Sequence, residues 1–349
     1  MKRKLKVLAL FDAVRPTTID QDLSAEMKTE DWKTEANVLT ALGALGYTTE
    51  HLAIFDDLDL LRQKLETFAP DVIFNLADQF KNNRGFDQNI VSFLEMQGVP
   101  FTGCGATGLV LCKHKGISKK ILSYHRIHVP NFVVIPRGQR IARPRQLKFP
   151  ILVKAGERRG VLRHSRRRPS SRPTSSSGSA SPLFTRNTTR DVIAEEYIAG
   201  RELYVSLMGN LRLTVFPIRE LVFREVPPDE PKIATYRAKW DEEYRKRWGL
   251  QNQFAEELDP ALVAQIEQTC KRIYRLLTID GYARIDLRLT AANEVYLHRG
   301  EPKSDSRGGR GLRAFGGQGR LAVSAIDRPD HPAWDEDGSR LTGERRQAR

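Results

Sequence analysis

The first third of the chain alternates short apolar segments with an amphipathic one, and this alternation limits the folds available to it. Three apolar segments predict strands at Leu5–Phe11, His51–Phe55 and Asp71–Leu76. Between the first two, apolar side chains recur at helical spacing over Asp31–Leu45. Because strands that alternate with helices generally form a parallel sheet, we expect an α/β domain with a mostly parallel sheet over residues 1–112.

A glycine-rich segment follows a second predicted helix at Phe86–Gln97 and a further strand near residues 98–102. This segment, Gly103–Gly108, lacks the glycine spacing and the following acidic residue of a dinucleotide-binding fingerprint. We therefore interpret it as a turn rather than as a nucleotide-binding loop.

Lysines mark the next two elements. The segment Lys113–Tyr124 predicts a helix that carries four of them, namely Lys113, Lys115, Lys119 and Lys120. A solvated basic face would also explain this helix. The apolar strand Phe149–Lys154 ends in a lysine, which is less ordinary because burial of an ammonium group is costly unless an anion lies nearby.

The middle of the chain is predicted to be rich in β-structure. Apolar and polar residues alternate over Asp191–Ile198, Gly200–Met208 and Leu211–Phe216, which predicts an antiparallel meander. A long helix is then predicted at Asp259–Leu277, where the first residue is a suitable N-cap and Pro260 follows at the first helical position.

The helix leads to a strand at Tyr282–Thr290, which a short turn joins to a second strand at Glu294–Leu297. Alternation places Arg284 and Asp286 on one face of the first strand. A guanidinium so placed can stabilise an oxyanion, and a carboxylate can hold Mg²⁺. The alternative is a surface ion pair on an antiparallel strand.

The net charge of +14 suggests nucleic-acid binding, but its distribution argues against this function. Residues 155–190 contain nine arginines and one glutamate, together with many Ser, Pro, Thr and Gly residues. Few apolar residues are available there for a core, so we expect a disordered basic loop. A flexible arm that binds nucleic acid is one alternative, but Phe184 is its one aromatic residue and no known binding module is recognisable.

Cysteine usage and hydropathy indicate a cytoplasmic location. The three cysteines, Cys104, Cys112 and Cys270, have no metal-type spacing and are odd in number, which suits a reducing compartment. No run of about 18 apolar residues occurs, so no membrane span is expected.

Several of these segments together resemble the D-alanine–D-alanine ligase branch of the ATP-grasp enzymes. The resemblance rests on Lys115 after the glycine-rich turn, Phe149–Lys154, Glu195–Ile198 with Gly200–Glu202, Lys239, and Ala283–Asp286. It implies a Rossmann-like parallel α/β domain at residues 1–112, followed by an ATP-grasp fold of two α+β subdomains at residues 113–198 and 199–297. Residues 298–349 would form an aberrant, disordered tail.

The resemblance also implies a site and a reaction. ATP and Mg²⁺ or Mn²⁺ are the implied cofactors, small amino-acid-like molecules the substrates, and a homodimer the assembly, with no nucleic-acid or membrane partner. The reaction would be carboxylate–amine ligation through an acyl phosphate, as in the synthesis of peptidoglycan precursors. The implied residues are Lys115, Lys154 and Lys239 for the phosphates, Glu195, Tyr197 and Ile198 for adenine, Glu202 for ribose, Asp286 for the metal, and Arg284 for the tetrahedral intermediate.

The chain departs from the family pattern in three places. The family's serine-containing phosphate loop is absent after Lys154, and Arg299 and Glu301 stand where the family has a Glu and an Asn as further metal ligands. In addition, the loop Asp12–Asp22 lacks the acidic-Arg-Glu pattern that orients the first D-alanine. Another substrate is therefore one alternative, and a catalytically dead nucleotide-binding relative is a second.

A shifted reading frame would explain the first two departures. Suitable codons for residues 155–164, read one base later, encode Pro-Ala-Asn-Glu-Glu-Ala-Ser-Tyr-Gly-Ile, which is plausible as the missing phosphate loop. The same shift over residues 297–305 gives Phe-Ile-Glu-Ala-Asn-Pro-Asn-Pro, which restores the missing Glu and Asn. Our hypothesis is that residues from about 155 to 190, and from about 298 onward, are translated out of frame.

Overall fold

The computed structural model describes residues 4–139, 145–155, 161–165, 191–226, 232–233 and 241–301. The strands within these ranges are β1 (Lys6–Asp12), β2 (Thr48–Ile54), β3 (Val72–Asn75), β4 (Phe132–Ile135), β5 (Ile151–Ala155), β6 (Val161–Ser165), β7 (Val192–Glu196), β8 (Arg201–Met208), β9 (Thr214–Val215), β10 (Arg219–Phe223), β11 (Leu250–Phe254), β12 (Tyr282–Leu289) and β13 (Val295–Glu301). The α-helices are α1 (Lys33–Ala44), α2 (Asp59–Phe68), α3 (Asp87–Gln97), α4 (Ala106–Lys113), α5 (Lys115–Tyr124), α6 (Glu242–Arg247) and α7 (Pro260–Leu276).

The first sheet is parallel and has the order β2-β1-β3, as the alternating sequence predicts. Side chains of β1 alternate between two apolar cores. Phe11 packs with α1 on one face, whereas Leu10 packs with α2 and α3 on the other. The strand predicted near residues 98–102 is reduced to one bridge between Ile73 and Phe101. The α/β prediction for this part of the chain is confirmed.

Two antiparallel sheets follow. The first has the order β4-β7-β5-β6, and the second has the order β11-β10-β8-β12-β13, with β9 paired to β8. The predicted meander is therefore wrong in one respect, because its first strand, β7, belongs to the former sheet and β8 to the latter. Local alternation is the same in both strands, so it does not specify which sheet each one joins. The mixed α/β and α+β prediction holds.

Two predicted boundaries also change around the glycine-rich segment. Only its first residues form a turn, because helix α4 begins at Ala106. Inside this helix Gly108 lies so close to the backbone of Thr278 that an added Cβ would be 2.5 Å from the carbonyl oxygen. Helix α5 begins at Lys115 rather than at Lys113, because His114 breaks the helical path between α4 and α5.

Helix α7 begins as the sequence predicts. The side chain of Asp259 accepts a hydrogen bond of 2.7 Å from the backbone N–H of Ala261, with Pro260 at the start of the helix. Its apolar face, which includes Ile266 and Ile273, packs in one core with residues of β8 and β12. This core supports the strands that carry the candidate site.

Two segments predicted to lack structure contribute strands. Residues 161–165 form β6 beside β5, inside the predicted disordered loop, and β13 continues to Glu301, four residues into the predicted tail. The rest of 156–190, residues 302–349 and Lys239 lie outside the described residues. Within the described ranges, no helix is both long enough and apolar enough to cross a membrane.

Gly200 joins the two antiparallel sheets at a point where only glycine fits. Its φ is +144°, and an added Cβ would lie 2.0 Å from the carbonyl oxygen of Leu289. Both the backbone conformation and the close approach of β12 exclude a side chain. The connection between β7 and β8 therefore depends on this residue.

We expect Gly200→Ala to lower the free energy of unfolding by about 3 kcal/mol or more, because the substitution adds both a clash and a strained φ. Denaturant unfolding measures this change. Gly43→Ala is the matched control, since Gly43 lies exposed in α1 with open space around its Cα. The control is expected to stabilise the protein by up to about 1 kcal/mol. Equal effects of the two substitutions would contradict the role given to Gly200.

Candidate active site

The candidate site begins at the end of β5, where Lys154 is buried in an ion pair with Glu195 of β7. In the register of the two strands, Glu195 is opposite Leu152, two residues before Lys154. The two side chains therefore project from the same face of the sheet. The Nζ of Lys154 is also 3.3 Å from the Nε2 of His298 on β13. The sequence argument that a buried lysine at this position needs an anion is thus confirmed.

A second lysine, Lys119 of α5, points at the same carboxylate. Its side chain is 2% exposed, and its Nζ lies 3.2 Å from the Oε2 of Glu195, although the contact lacks hydrogen-bond geometry. A solvated basic face is thus the wrong interpretation for this lysine. Burial lowers the pKa of Lys119 from 10.5 to about 7. Two buried amines thus share one carboxylate.

The surroundings of Lys154 are short of negative charge. Burial holds the pKa of Lys154 well below its ordinary value, and the positive charges of Lys119, Lys115 and Arg299 lower it further, while Glu202 opposes the shift. Lys115, at the start of α5, is half-buried. An anionic ligand in this pocket would stabilise the charged form of these amines.

The facing side of the site is β12, where Arg284, Asp286 and Arg288 alternate along one face. Both oxygens of Asp286 accept hydrogen bonds from Arg284, from Nε at 2.6 Å and from Nη2 at 3.1 Å. Asp286 is 2% exposed, so the interpretation of this pair as a surface ion pair is wrong.

Strand β13 adds a second carboxylate and a second guanidinium to this pair. Glu301, opposite Arg284 in the register, accepts from its Nη2, and Arg299, opposite Asp286, forms an ion pair of 2.8 Å with the other oxygen of Glu301. The result is an alternating network of two arginines and two carboxylates. It lies against Tyr204 of β8, whose ring centroid is 4.8 Å from the Arg284 guanidinium.

At the other end of the β12 face, Arg288 holds Glu202. Its Nη2 donates to one oxygen of Glu202 at 2.8 Å, and the hydroxyl of Tyr204 donates to the other, also at 2.8 Å. The guanidinium of Arg288 lies 5.4 Å from the ring centroid of Tyr197. Tyr197 and Glu202, which sequence reasoning placed at the adenine and ribose, are thus brought together by an arginine.

The structure therefore brings most of the predicted residues together where the two antiparallel sheets meet, a region that we call the cleft. Three neighbours were missed by sequence reasoning: Lys119, Arg288 and His298. Arg288 had a signal, since it shares the alternation of Arg284 and Asp286. Lys119 had a weaker one, since it lies one helical turn after Lys115. The roles assigned to individual residues stay predictions.

Comparison with known proteins places this geometry in a family. The profile described as D-ala D-ala ligase C-terminus matches residues 121–299, a little over half of the chain. An uncharacterised protein, y4sG, of Sinorhizobium fredii is 28% identical over 273 residues, which cover 75% of each protein. A D-alanine–D-alanine ligase of Moorella thermoacetica is 26% identical over 274 residues, which cover 75% of this chain and 80% of the relative.

Solved structures show the same fold. The crystal structure of D-alanine–D-alanine ligase from Bacillus anthracis complexed with ATP superimposes with a TM-score of 0.63 at 17% identity, over 93% of this chain and 96% of that one.

The burial of the Lys119 amine should make the stability of the protein depend on pH. Between pH values of about 7 and 10.5 the unfolded chain binds a proton at this residue that the folded chain does not. Its contribution to stability is therefore lost as the pH falls through this range. Lys119→Met removes this pH-dependent cost of burying a charged amine. We therefore expect the free energy of unfolding of the variant, relative to the parent, to fall by up to about 1.4 kcal/mol for each unit of rising pH.

Denaturant unfolding at about pH 7.5 and about pH 9.5 measures this difference. Lys120→Met is the matched control, because Lys120 is the neighbouring lysine on α5 and is exposed. The control should follow the pH dependence of the parent. If both substitutions shift with pH alike, the burial of Lys119 is not the cause.

Proposed function

This chain belongs to the D-alanine–D-alanine ligase family, and from that membership we propose that it is an ATP-dependent carboxylate–amine ligase by descent, whose cleft still binds ATP. One observation carries the proposal. Lys154 is buried with three further cationic side chains close enough to lower its pKa and with Glu195 as its ion-pair partner. Triphosphate oxygens would supply the negative charge that this pocket lacks.

The proposed orientation of ATP follows the order of the charged groups along the cleft. The phosphates lie near Lys115 and Lys154, with Lys239 as a third phosphate ligand. The adenine lies against the segment Glu195–Ile198, and the ribose hydroxyls approach Glu202. Arg288 supports this end, because it fixes the carboxylate of Glu202 and stacks beside Tyr197.

The proposed reaction is that of the family. A carboxylate oxygen of one small amino acid attacks the terminal phosphorus of ATP, the bond to ADP breaks, and an acyl phosphate forms. The amine of a second amino acid then attacks the acyl carbon, loses a proton, and phosphate leaves with the bonding electrons. Arg284 is proposed to stabilise the oxyanion of this second step. The relatives are named for D-alanine, and another small amino acid is the alternative substrate, because the loop Asp12–Asp22 lacks the acidic-Arg-Glu pattern.

The family resemblance also implies Mg²⁺ or Mn²⁺ at Asp286, and the residues present do not fit it. A divalent cation there needs free carboxylate oxygens. Arg284 engages both oxygens of Asp286, and Glu301 is shared by Arg284 and Arg299. Among the described side chains, no group of three or more His, Cys, Asp or Glu is arranged to hold a metal. The proposed steps therefore use the side chains of the protein and no metal.

Because the residues around Asp286 do not fit a metal, we propose that this chain has little or no ligase activity. With arginines engaging the carboxylates and without the family's phosphate loop, ATP binds but transfer to a carboxylate is negligible. The homodimer implied by the resemblance and the cytoplasmic location indicated by the cysteines stay proposals, as do the domain boundaries.

We expect no amino-acid-stimulated phosphate release from ATP by this chain above the blank, although it binds ATP. The comparison is a reframed chain in which residues 155–190 and those from about 298 onward are read one base later, tested against D-alanine and other small amino acids. The reframed chain should release phosphate, and the amino acid that stimulates it most identifies the substrate. Stimulated release by the unaltered chain would contradict the proposal.

The coding DNA supplies the control for this comparison. Its sequence across the codons for Val153–Asp191, and from Tyr296 to the stop codon, should contain the shifted family motifs in the neighbouring frame. If no reading frame encodes these motifs, the frameshift hypothesis is wrong. The reframed chain would then no longer be a valid comparison.

A further inference from the structure

We infer that the cleft binds ATP free of divalent metal, with Arg299 and the lysines supplying the positive charge that a cation would otherwise bring. This inference rests on the proposed ATP site. It concerns Asp286, where the side chains present do not fit the cation that the family implies.

The first argument is the state of Asp286. Its side chain is buried, and its two oxygens accept from Nε and Nη2 of Arg284 at 2.6 and 3.1 Å. This is a bidentate guanidinium–carboxylate pair, which is among the strongest arrangements in proteins. A metal at Asp286 would displace the guanidinium and leave it without this partner in a buried site, which is costly.

The second argument is the position of Arg299. In the register of the hairpin it lies directly opposite Asp286, and its guanidinium reaches Glu301 at 2.8 Å. Its positive charge also contributes to the lowered pKa of Lys154, so the guanidinium lies within electrostatic reach of the proposed phosphate site. Its side chain is 19% exposed, which leaves room for a ligand to approach. A planar guanidinium binds phosphate oxygens in pairs.

The third argument is the charge of the whole cleft. Among the described residues, the basic side chains joined there by ion pairs or electrostatic contact outnumber the carboxylates by six to four: Lys115, Lys119, Lys154, Arg284, Arg288 and Arg299 against Glu195, Glu202, Asp286 and Glu301. Free ATP carries more negative charge than its magnesium complex. An anionic ligand stabilises the charged form of the two buried amines, and free ATP does so more strongly than its magnesium complex. The cleft therefore favours the free nucleotide, and added Mg²⁺ competes with the protein for it.

The test is calorimetric titration of the full chain with ATP, once in EDTA and once in excess Mg²⁺ at matched ionic strength. We expect ATP to bind about threefold more tightly, or more, in EDTA than in Mg²⁺. Equal or tighter binding in Mg²⁺ would overturn the inference while leaving the proposed ATP site intact. Absence of binding in both buffers would overturn the proposed function itself, and the inference with it.

Two variants test whether Arg299 and the side chains beside Asp286 determine the metal dependence of ATP binding. Arg299→Met should weaken ATP binding in EDTA about tenfold, which is about 1.4 kcal/mol. Arg62→Met is the matched control, because Arg62 forms surface ion pairs with Asp59 and Glu66 on α2. It should leave ATP affinity unchanged, and an equal loss in both variants would overturn the role of Arg299.

The second variant combines Arg299→Glu with Glu301→Asn and so places a carboxylate and an amide beside Asp286. It should reverse the preference, so that Mg²⁺ strengthens ATP binding about fivefold or more. Thermal unfolding of each variant confirms that it folds before titration. If the double variant prefers free ATP as the parent does, the network around Asp286 is not what sets the metal dependence.

Discussion

The arrangement of the cleft depends on the ion pairs of the Glu195 carboxylate. This carboxylate lies between the amines of Lys119 and Lys154, and it thereby links helix α5 with strands β5 and β7. His298 extends the contact to β13 of the other antiparallel sheet. Buried ion pairs gain little stability over well-packed apolar side chains, because desolvation offsets their attraction. Two amines on one carboxylate are therefore better explained by a ligand than by folding.

The two ends of the cleft differ in their balance of charged side chains. At the Tyr197 end, Arg288 and Glu202 form a neutral pair, which suits contact with an uncharged ring and its hydroxyls. At the Lys154 end, amines outnumber carboxylates, which suits phosphates. Strand β12 joins the two, since its face carries Arg284, Asp286 and Arg288 in alternation. A strand with three charges on one face is stable here because each of them has a partner of opposite sign.

Sequence reasoning succeeded where a local physical rule decides the structure and failed where distant residues decide it. The N-cap at Asp259 and the alternation of β12 are local, and both were predicted. The separation of β7 and β8 into different sheets depends on long-range pairing and on the turn at Gly200, and no local pattern distinguishes them. The burial of Lys119 depends on Glu195, which is 76 positions away in the sequence; only the fold brings them together.

The end of β13 shows how fold and chemistry respond differently to a change of sequence. Strand β13 pairs with β12 through backbone groups as far as Glu301. Many different side chains are therefore compatible with this pairing. Metal binding at the same positions depends on which side chains face Asp286. Arg299 and Glu301 satisfy the charges of Asp286 and Arg284, and so they preserve the buried strand pair while removing its oxygen ligands. A frameshift at this point would therefore leave the sheet intact and alter the electrostatics of the site.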